Sequence, residues 1–137
     1  MSQSIDTSAI HHITLTVSDV QRSQAFYEAL LGFQKVADFG LRAVMVKGDV
    51  TLVLGPPPDP SQAVPGDRFS PNRLGLDHLS FAVASRTELE RAKQLLAERG
   101  VEHKDIKDLG EGLGIYVLAF RDPDNIALEL TAPYSRP

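Results

Sequence analysis

The chain repeats one pattern of secondary structure, and this repeat constrains its fold more than any other feature. The stretch His-Ile-Thr-Leu-Thr-Val from His12 matches His-Leu-Ser-Phe-Ala-Val from His78, in register and 66 residues later. Gly32 and Gly100, 68 residues apart, each follow an apolar helical stripe and are expected to end a helix. Self-similarity at a fixed spacing indicates a supersecondary unit that occurs twice. The repeat therefore predicts two modules, each built as strand, helix and three further strands.

The bounds of the predicted elements follow from alternation, capping residues and turn signals. In the first module, a strand from residue 10 precedes a helix that begins after Ser18 or Asp19 and runs to about residue 31. In the second, a strand from residue 76 precedes a helix with a capping box formed by Ser85 and Glu88. The remaining strands are predicted over residues 33–38, 41–46, 50–54, 102–106, 115–120 and 126–131.

The domain organisation follows from the repeat and from a change in composition between its halves. Residues 55–73 hold six of the nine prolines and show no periodicity, which is typical of a linker or covering loop. We expect a loose tail over residues 1–9 and a single domain over 10–133. Within it, module one spans about 10–55, the linker 56–73 and module two about 74–133. The predicted fold class is α+β, with paired βαβββ modules whose mixed sheet curls around a shared cleft.

Composition narrows the classes of function. A net charge of −4 favours neither nucleic acid nor an anionic membrane as partner, and no apolar run reaches membrane-spanning length. With no cysteine in 137 residues, the chain has no disulfide and no thiolate chemistry. We expect a cytoplasmic protein of one domain that acts on a small-molecule substrate.

Three metal-ligand side chains occupy equivalent faces of the predicted strands. His12, His78 and Glu129 each lie opposite the apolar face of their strand, because strand residues alternate between faces. Two imidazoles and one carboxylate form a facial triad that leaves coordination positions free, which suits Fe(II). Mn, Zn, Ni and Co are the alternative metals. Alignment of the turn at residues 48–49 with 124–125 places Val53 where Glu129 stands, so three protein ligands are expected. The alternative is that each histidine only begins a strand and finds a hydrogen-bond partner.

These motifs resemble the vicinal oxygen chelate superfamily, which includes glyoxalases, bleomycin-resistance proteins and dioxygenases. The resemblance covers about residues 10–133 and includes Phe26-Tyr27 and the stretch Phe-Arg-Asp-Pro-Asp-Asn-Ile-Ala-Leu-Glu-Leu from Phe120. It implies paired βαβββ modules, a metal bound by strands one, four, five and eight, and often a homodimer. By motif position it implies that His12, His78 and Glu129 are the metal ligands. Members such as glyoxalase I have a carboxylate or similar ligand where this chain has Val53, so that isomerase is disfavoured.

The resemblance implies a metal-dependent enzyme that chelates neighbouring oxygens of a substrate, and a dioxygenase-like reaction is our first expectation. Val53, Ala82 and Ala127 suggest a partly apolar substrate. A non-iron lyase, isomerase or thiol transferase on the same triad is one alternative, and a metal-free drug-binding protein is another. Tyr116 is a candidate catalytic donor to a metal-bound oxygen, or a packing residue. His103 is a candidate for a group that contacts a metal ligand or acts as a base, and the alternative is a histidine on the surface of a strand.

Overall fold

The computed structural model describes residues 3–135 and divides into two compact units, residues 1–64 and 65–137. The first unit contains one four-stranded mixed sheet with the strand order β1-β4-β3-β2. Strand β1 is parallel to β4, and the other neighbours are antiparallel. Its elements are β1 (Ile13–Thr16), α1 (Val20–Leu31), β2 (Gln34–Phe39), β3 (Arg42–Lys47) and β4 (Val50–Gly55).

The second unit has the same topology, with the strand order β5-β8-β7-β6 and a parallel β5–β8 pair. This agreement confirms the predicted repeat of two βαβββ modules and the α+β class. The elements are β5 (Leu79–Ala82), α2 (Arg86–Glu98), β6 (Lys107–Asp108), α3 (Gly110–Leu113), β7 (Ile115–Arg121) and β8 (Ala127–Pro133).

The long helices begin and end where their capping residues predict. The Asp19 carboxylate accepts a hydrogen bond from Arg22 N, and the Ser85 hydroxyl accepts one from Glu88 N. Helix α1 ends at Gly32, whose φ of 75° lies in the left-handed region that glycine adopts without steric cost. Each helix then covers one face of the sheet in its own unit.

The buried core lies between each helix and the sheet of its own unit. In the first unit, Tyr27 of α1 is buried with Leu52 and Leu54 of β4. In the second unit, Leu89 of α2 is buried with Leu128 of β8. Since successive strand residues point to opposite faces, the sheet face away from α2 carries the side chains between the buried apolar ones. That face holds the candidate site of the second unit.

The predicted strand over residues 102–106 is wrong. The structure has a single bridge there between His103 and Phe120, and then the two-residue strand β6. Acidic and lysine residues have low strand propensity, and this segment is rich in them. Asp105 also forms an ion pair with Lys93 of α2, with Nζ and Oδ1 2.6 Å apart.

Other differences concern element bounds and short helices. Strands β1 and β5 each begin three residues later than predicted, so His12 and His78 directly precede their strands. Residues 110–113 form the one-turn helix α3, and before it the Asp108 carboxylate accepts a hydrogen bond from Gly110 N. The proline-rich linker contains a 3₁₀ turn over Pro60–Gln62. None of the helices in residues 3–135 is long and apolar enough to cross a membrane.

Candidate metal centre

The candidate site lies in an open cavity of about 780 Å³ within the second unit. Most of its lining side chains are charged or polar, which differs from the apolar cavity expected from Ala82 and Ala127. A polar lining suits a polar ligand, because these side chains can donate and accept hydrogen bonds. The lining residues are Pro71, Asp77, His78, Glu102, His103, Lys104, Asp105, Ala119, Phe120, Arg121, Ala127, Leu128 and Glu129.

The parallel pairing of β5 with β8 brings His78 and Glu129 together. Ser80 lies opposite Glu129 in this register, and His78 is two residues before Ser80 on the same side of the chain. The His78 Nε2 atom lies 3.6 Å from Glu129 Oε1. This distance is too long for a hydrogen bond, and an imidazole nitrogen beside a carboxylate oxygen is a pair that would hold a divalent metal ion.

Neighbouring side chains orient both candidate ligands. The Nδ1–H group of His78 donates a hydrogen bond of 2.7 Å to Asp77 Oδ1, which leaves the lone pair of Nε2 directed at Glu129. The Thr131 hydroxyl donates to Glu129 Oε1 over 3.2 Å, and Ser80 in turn donates to the Thr131 hydroxyl. Metal-binding histidines in proteins commonly donate their other ring N–H to a carboxylate in this way.

The charge balance of this arrangement also fits a cation. The Glu129 side chain is only 19% exposed, and no lysine or arginine among residues 3–135 pairs with it. Asp77 and Glu129 place two carboxylates beside the same His78 imidazole. A largely buried carboxylate without a full counter-charge is costly. The donor set of His78 and Glu129 therefore fits a divalent metal ion.

The third candidate ligand, His12, belongs to the first unit. It directly precedes β1, as His78 precedes β5, and Thr14 lies opposite Val53 just as Ser80 lies opposite Glu129. The two registers agree with the sequence alignment of Val53 and Glu129. The Nδ1 atom of His12 lies 3.0 Å from that of His11. Across residues 3–135, no three histidine or acidic side chains form a cluster that could hold a metal ion. The three-ligand site stays a prediction.

Tyr116 lies on the opposite sheet face from Glu129. It is buried, its hydroxyl donates a 2.8 Å hydrogen bond to the carbonyl oxygen of Ser135, and the Arg86 guanidinium of α2 lies 4.8 Å from its ring centre. Of the two roles considered for Tyr116, these contacts favour packing. The catalytic role stays a prediction that this placement does not support.

Two residues next to the ligands were missed by the sequence analysis. Asp77 and Thr131 contact His78 and Glu129 directly, and the signal that could have found them was their position. Asp77 is adjacent to His78, and Thr131 shares a strand face with Glu129 at a spacing of two.

Asp105, at the rim of the cavity, has a pKa below its ordinary value because Lys93 donates a hydrogen bond to it and adds a favourable charge.

Substitution of Thr131 by valine tests the orientation of Glu129. We expect the dissociation constant for Mn(II) to rise about 10-fold, because outer-shell partners commonly contribute 10–100-fold to metal affinity. Valine keeps the size and β-branching of threonine but removes the hydroxyl that donates to Glu129. Titration calorimetry checks the affinity. Thr87→Val, on the first turn of α2, is the matched control and should leave the dissociation constant for Mn(II) unchanged. Equal affinities for the Thr131 variant and the wild type would contradict the expectation.

Comparison with known proteins identifies the family. Residues 9–130 match the model of the Glyoxalase/Bleomycin resistance protein/Dioxygenase superfamily. The chain belongs to this superfamily. The match covers both βαβββ modules up to β8, and so confirms the resemblance seen in the motifs. The superfamily contains several kinds of activity, so membership alone does not give the reaction.

Two curated proteins are similar to this chain over most of its length. The uncharacterized protein YwkD of Bacillus subtilis is 34% identical over 129 residues, covering 89% of this chain and 94% of the relative. The glutathione transferase FosA of Serratia marcescens is 33% identical over 122 residues, covering 89% of this chain and 79% of the relative. This chain is thus similar to at least one named enzyme over most of its length.

Two solved structures show the same fold. A glyoxylase/bleomycin resistance protein/dioxygenase domain from Frankia sp. EAN1pec has a TM-score of 0.76 and 29% identity, covering 96% of each chain. A variant of the fosfomycin resistance protein FosX of Listeria monocytogenes has a TM-score of 0.73 and 22% identity, covering 94% of this chain and 93% of that one. That FosX structure contains Mn(II) and 1S,2S-dihydroxypropylphosphonic acid. At this identity the likeness shows the fold alone.

Proposed function

We propose that this protein is a metal-dependent enzyme that holds a divalent cation with His12, His78 and Glu129 and acts on a small polar substrate with two neighbouring oxygens. The observation that carries the proposal is the 3.6 Å approach of His78 Nε2 to Glu129 Oε1, with Asp77 bound to the other imidazole nitrogen. When bound, the cation would act as a Lewis acid that polarises a substrate oxygen.

The chain's own residues account for the rest of the site. Asp77 holds the His78 ring in one orientation, and Thr131 directs Glu129 towards it. Lys104 and Arg121 line the same cavity and would contribute positive charge near an anionic or polar substrate. His12, His78 and Glu129 would hold the cation, and two neighbouring oxygens of the substrate would supply further ligands.

Transfer of a thiol to a metal-bound substrate is the reaction class that we favour. The similarity to the glutathione transferase FosA supports it, as does the polar lining of the cavity. In this class the thiol sulfur forms a bond to an electrophilic carbon, a carbon–oxygen bond breaks, and the proton from the thiol ends on the released oxygen. Dioxygen is not consumed.

A ring-cleaving dioxygenase with Fe(II) is the second candidate. The 2-His-1-carboxylate ligand set favours it, because this set with open positions is typical of non-haem iron oxygenases. Ala119 and Ala127 leave a small apolar part of the cavity next to Glu129 that an aromatic diol could use.

The deciding experiment is paired. Protein purified without chelators is analysed for metal by mass spectrometry, and then assayed for glutathione consumption with small epoxides and for oxygen uptake with catechols. We expect about one equivalent of a divalent transition metal, glutathione consumption and no oxygen uptake. Oxygen uptake with iron present would replace the transferase with the dioxygenase. Absence of metal after reconstitution with Fe(II), Mn(II), Ni(II) and Zn(II) would contradict the enzyme proposal and leave a drug-binding protein.

The expected assembly is a homodimer, which stays a prediction. Light scattering at several protein concentrations checks it. A monomer mass at all concentrations would contradict it.

A further inference from the structure

Asn125 has an unusual backbone conformation at the turn before β8. Among residues 3–135 it alone combines a side chain with a positive φ, of 68°. Glycine adopts this region without steric cost, and asparagine is one of the few other residues that tolerate it. A side chain kept in this conformation is a candidate for a structural or functional role.

The Asn125 side chain binds a segment that is distant in sequence. Its amide nitrogen donates a 3.0 Å hydrogen bond to the carbonyl oxygen of Phe69, 56 residues away. In the reverse direction, Phe69 N donates a 3.0 Å hydrogen bond to the carbonyl oxygen of Asp124. The two bonds form a reciprocal clamp between the end of the linker region and the turn.

The clamped segment forms a wall of the metal-centre cavity. Directly after Phe69, the chain turns over residues 70–73, where the Ser70 hydroxyl accepts a hydrogen bond from Asn72 N. Pro71, at the top of this turn, lines the same cavity as His78 and Glu129. The segment has no helix or strand pairing of its own, so the clamp supplies its attachment to the turn before β8.

The turn that carries Asn125 is itself held firmly. The buried Asp122 carboxylate accepts hydrogen bonds of 2.8 Å from both Asp124 N and Ile126 N, and Arg121 donates to the Asn125 carbonyl oxygen. A well-ordered turn therefore fixes the position of the Asn125 amide. Through the two hydrogen bonds of the clamp, the turn also fixes the position of residues 69–73.

The geometry points to Asn125 as a positioning residue that holds residues 69–73 as a wall of the substrate cavity and so sets the affinity for the substrate. Asn125 does not contact the metal ligands, and it acts through Phe69 and Pro71. The part of this inference that concerns substrate rests on the proposed function, while the clamp itself does not.

Asn125→Gly removes the clamp without disturbing the turn, because glycine adopts the positive φ but lacks the side-chain amide. Asn125→Asp keeps a similar shape but places an acceptor against the Phe69 carbonyl oxygen. In both variants we expect hydrogen exchange at the Phe69 amide to speed up about tenfold, as loss of one net hydrogen bond predicts. The affinity for Mn(II) should stay near that of the wild type, and the free energy of unfolding in urea should fall by no more than one hydrogen bond contributes.

The second readout is binding of 4-nitrocatechol to the Mn(II)-loaded protein, since its two neighbouring oxygens chelate metal and its absorption reports the complex. If the wall is in place for only a tenth to a third of the time, the dissociation constant rises about three- to tenfold. Unchanged exchange at Phe69 would overturn the clamp. Faster exchange with unchanged nitrocatechol affinity would overturn the positioning role. A wild type that binds Mn(II) but not nitrocatechol would contradict the proposed function and the substrate role together, and the exchange data would still decide the clamp.

Discussion

Replacement of Glu129 by alanine is expected to weaken Mn(II) binding by more than about 100-fold, beyond the range that outer-shell partners contribute. Glu129 supplies a carboxylate oxygen 3.6 Å from His78 Nε2, and its side chain is mostly buried. Its loss removes both a ligand and the negative charge that balances the cation. The remaining imidazoles are neutral donors and cannot replace that charge. Titration calorimetry and metal content after gel filtration measure the effect.

A matched control lies in the same cavity. Glu102 also lines it, carries the same charge and is more exposed, and within residues 3–135 it forms no ion pair with His78. Glu102→Ala should change the Mn(II) affinity by less than about threefold, since an exposed charge that is not a ligand is largely screened by solvent and salt. Equal losses in the two variants would indicate a general effect of charge and would contradict the assignment of Glu129 as a ligand. An unchanged affinity in Glu129→Ala would contradict the metal site as proposed.

Replacement of Asp122 by alanine is expected to lower the free energy of unfolding by about 2–3 kcal/mol, because hydrogen bonds to charged groups contribute about 1.5–3 kcal/mol and their loss leaves buried donors unpaired. Asp122 is 6% exposed, and its Oδ1 atom accepts 2.8 Å hydrogen bonds from the amides of Asp124 and Ile126. These bonds close the turn that leads into β8, the strand that carries Glu129. Urea denaturation measures the change.

Two controls test the cause of this destabilisation. Asp122→Asn keeps an acceptor oxygen at the same place. Its loss in free energy of unfolding should therefore be at most half of the loss in Asp122→Ala. Asp108→Ala removes an exposed aspartate that also accepts one backbone hydrogen bond, from Gly110 N, and should cost less than about 1 kcal/mol. A loss below about 0.5 kcal/mol in Asp122→Ala would contradict the role of the buried carboxylate. Equal losses in Asp122→Ala and Asp122→Asn would indicate that charge, and not the acceptor, matters.

Local chemistry explains what the sequence could predict. Asp19 and Ser85 cap helices through short-range hydrogen bonds, and Gly32 ends α1 because its φ is positive, so these positions follow from residue type alone. The repeat determined the topology as well, since two similar segments bury their apolar faces in the same way. Alternation in a strand placed Glu129 on the face opposite Leu128, which confirms that period-two patterns report orientation without knowledge of the fold.

Pairing between distant segments decided the rest. Tyr116 and His103 could not be assigned from the sequence, because their faces depend on the register of β7 with β8 and on the single bridge to Phe120. Lys93 and Asp105 form an ion pair across 12 residues that no local pattern predicts. Likewise, the clamp from Asn125 to Phe69 exists only once 56 residues of chain have folded back. The sequence by itself determined which elements form and which side chains share a face, because those depend on neighbours in the chain. Only the tertiary structure decided which of those side chains meet, because hydrogen bonds and ion pairs over long separations depend on how the strands pair.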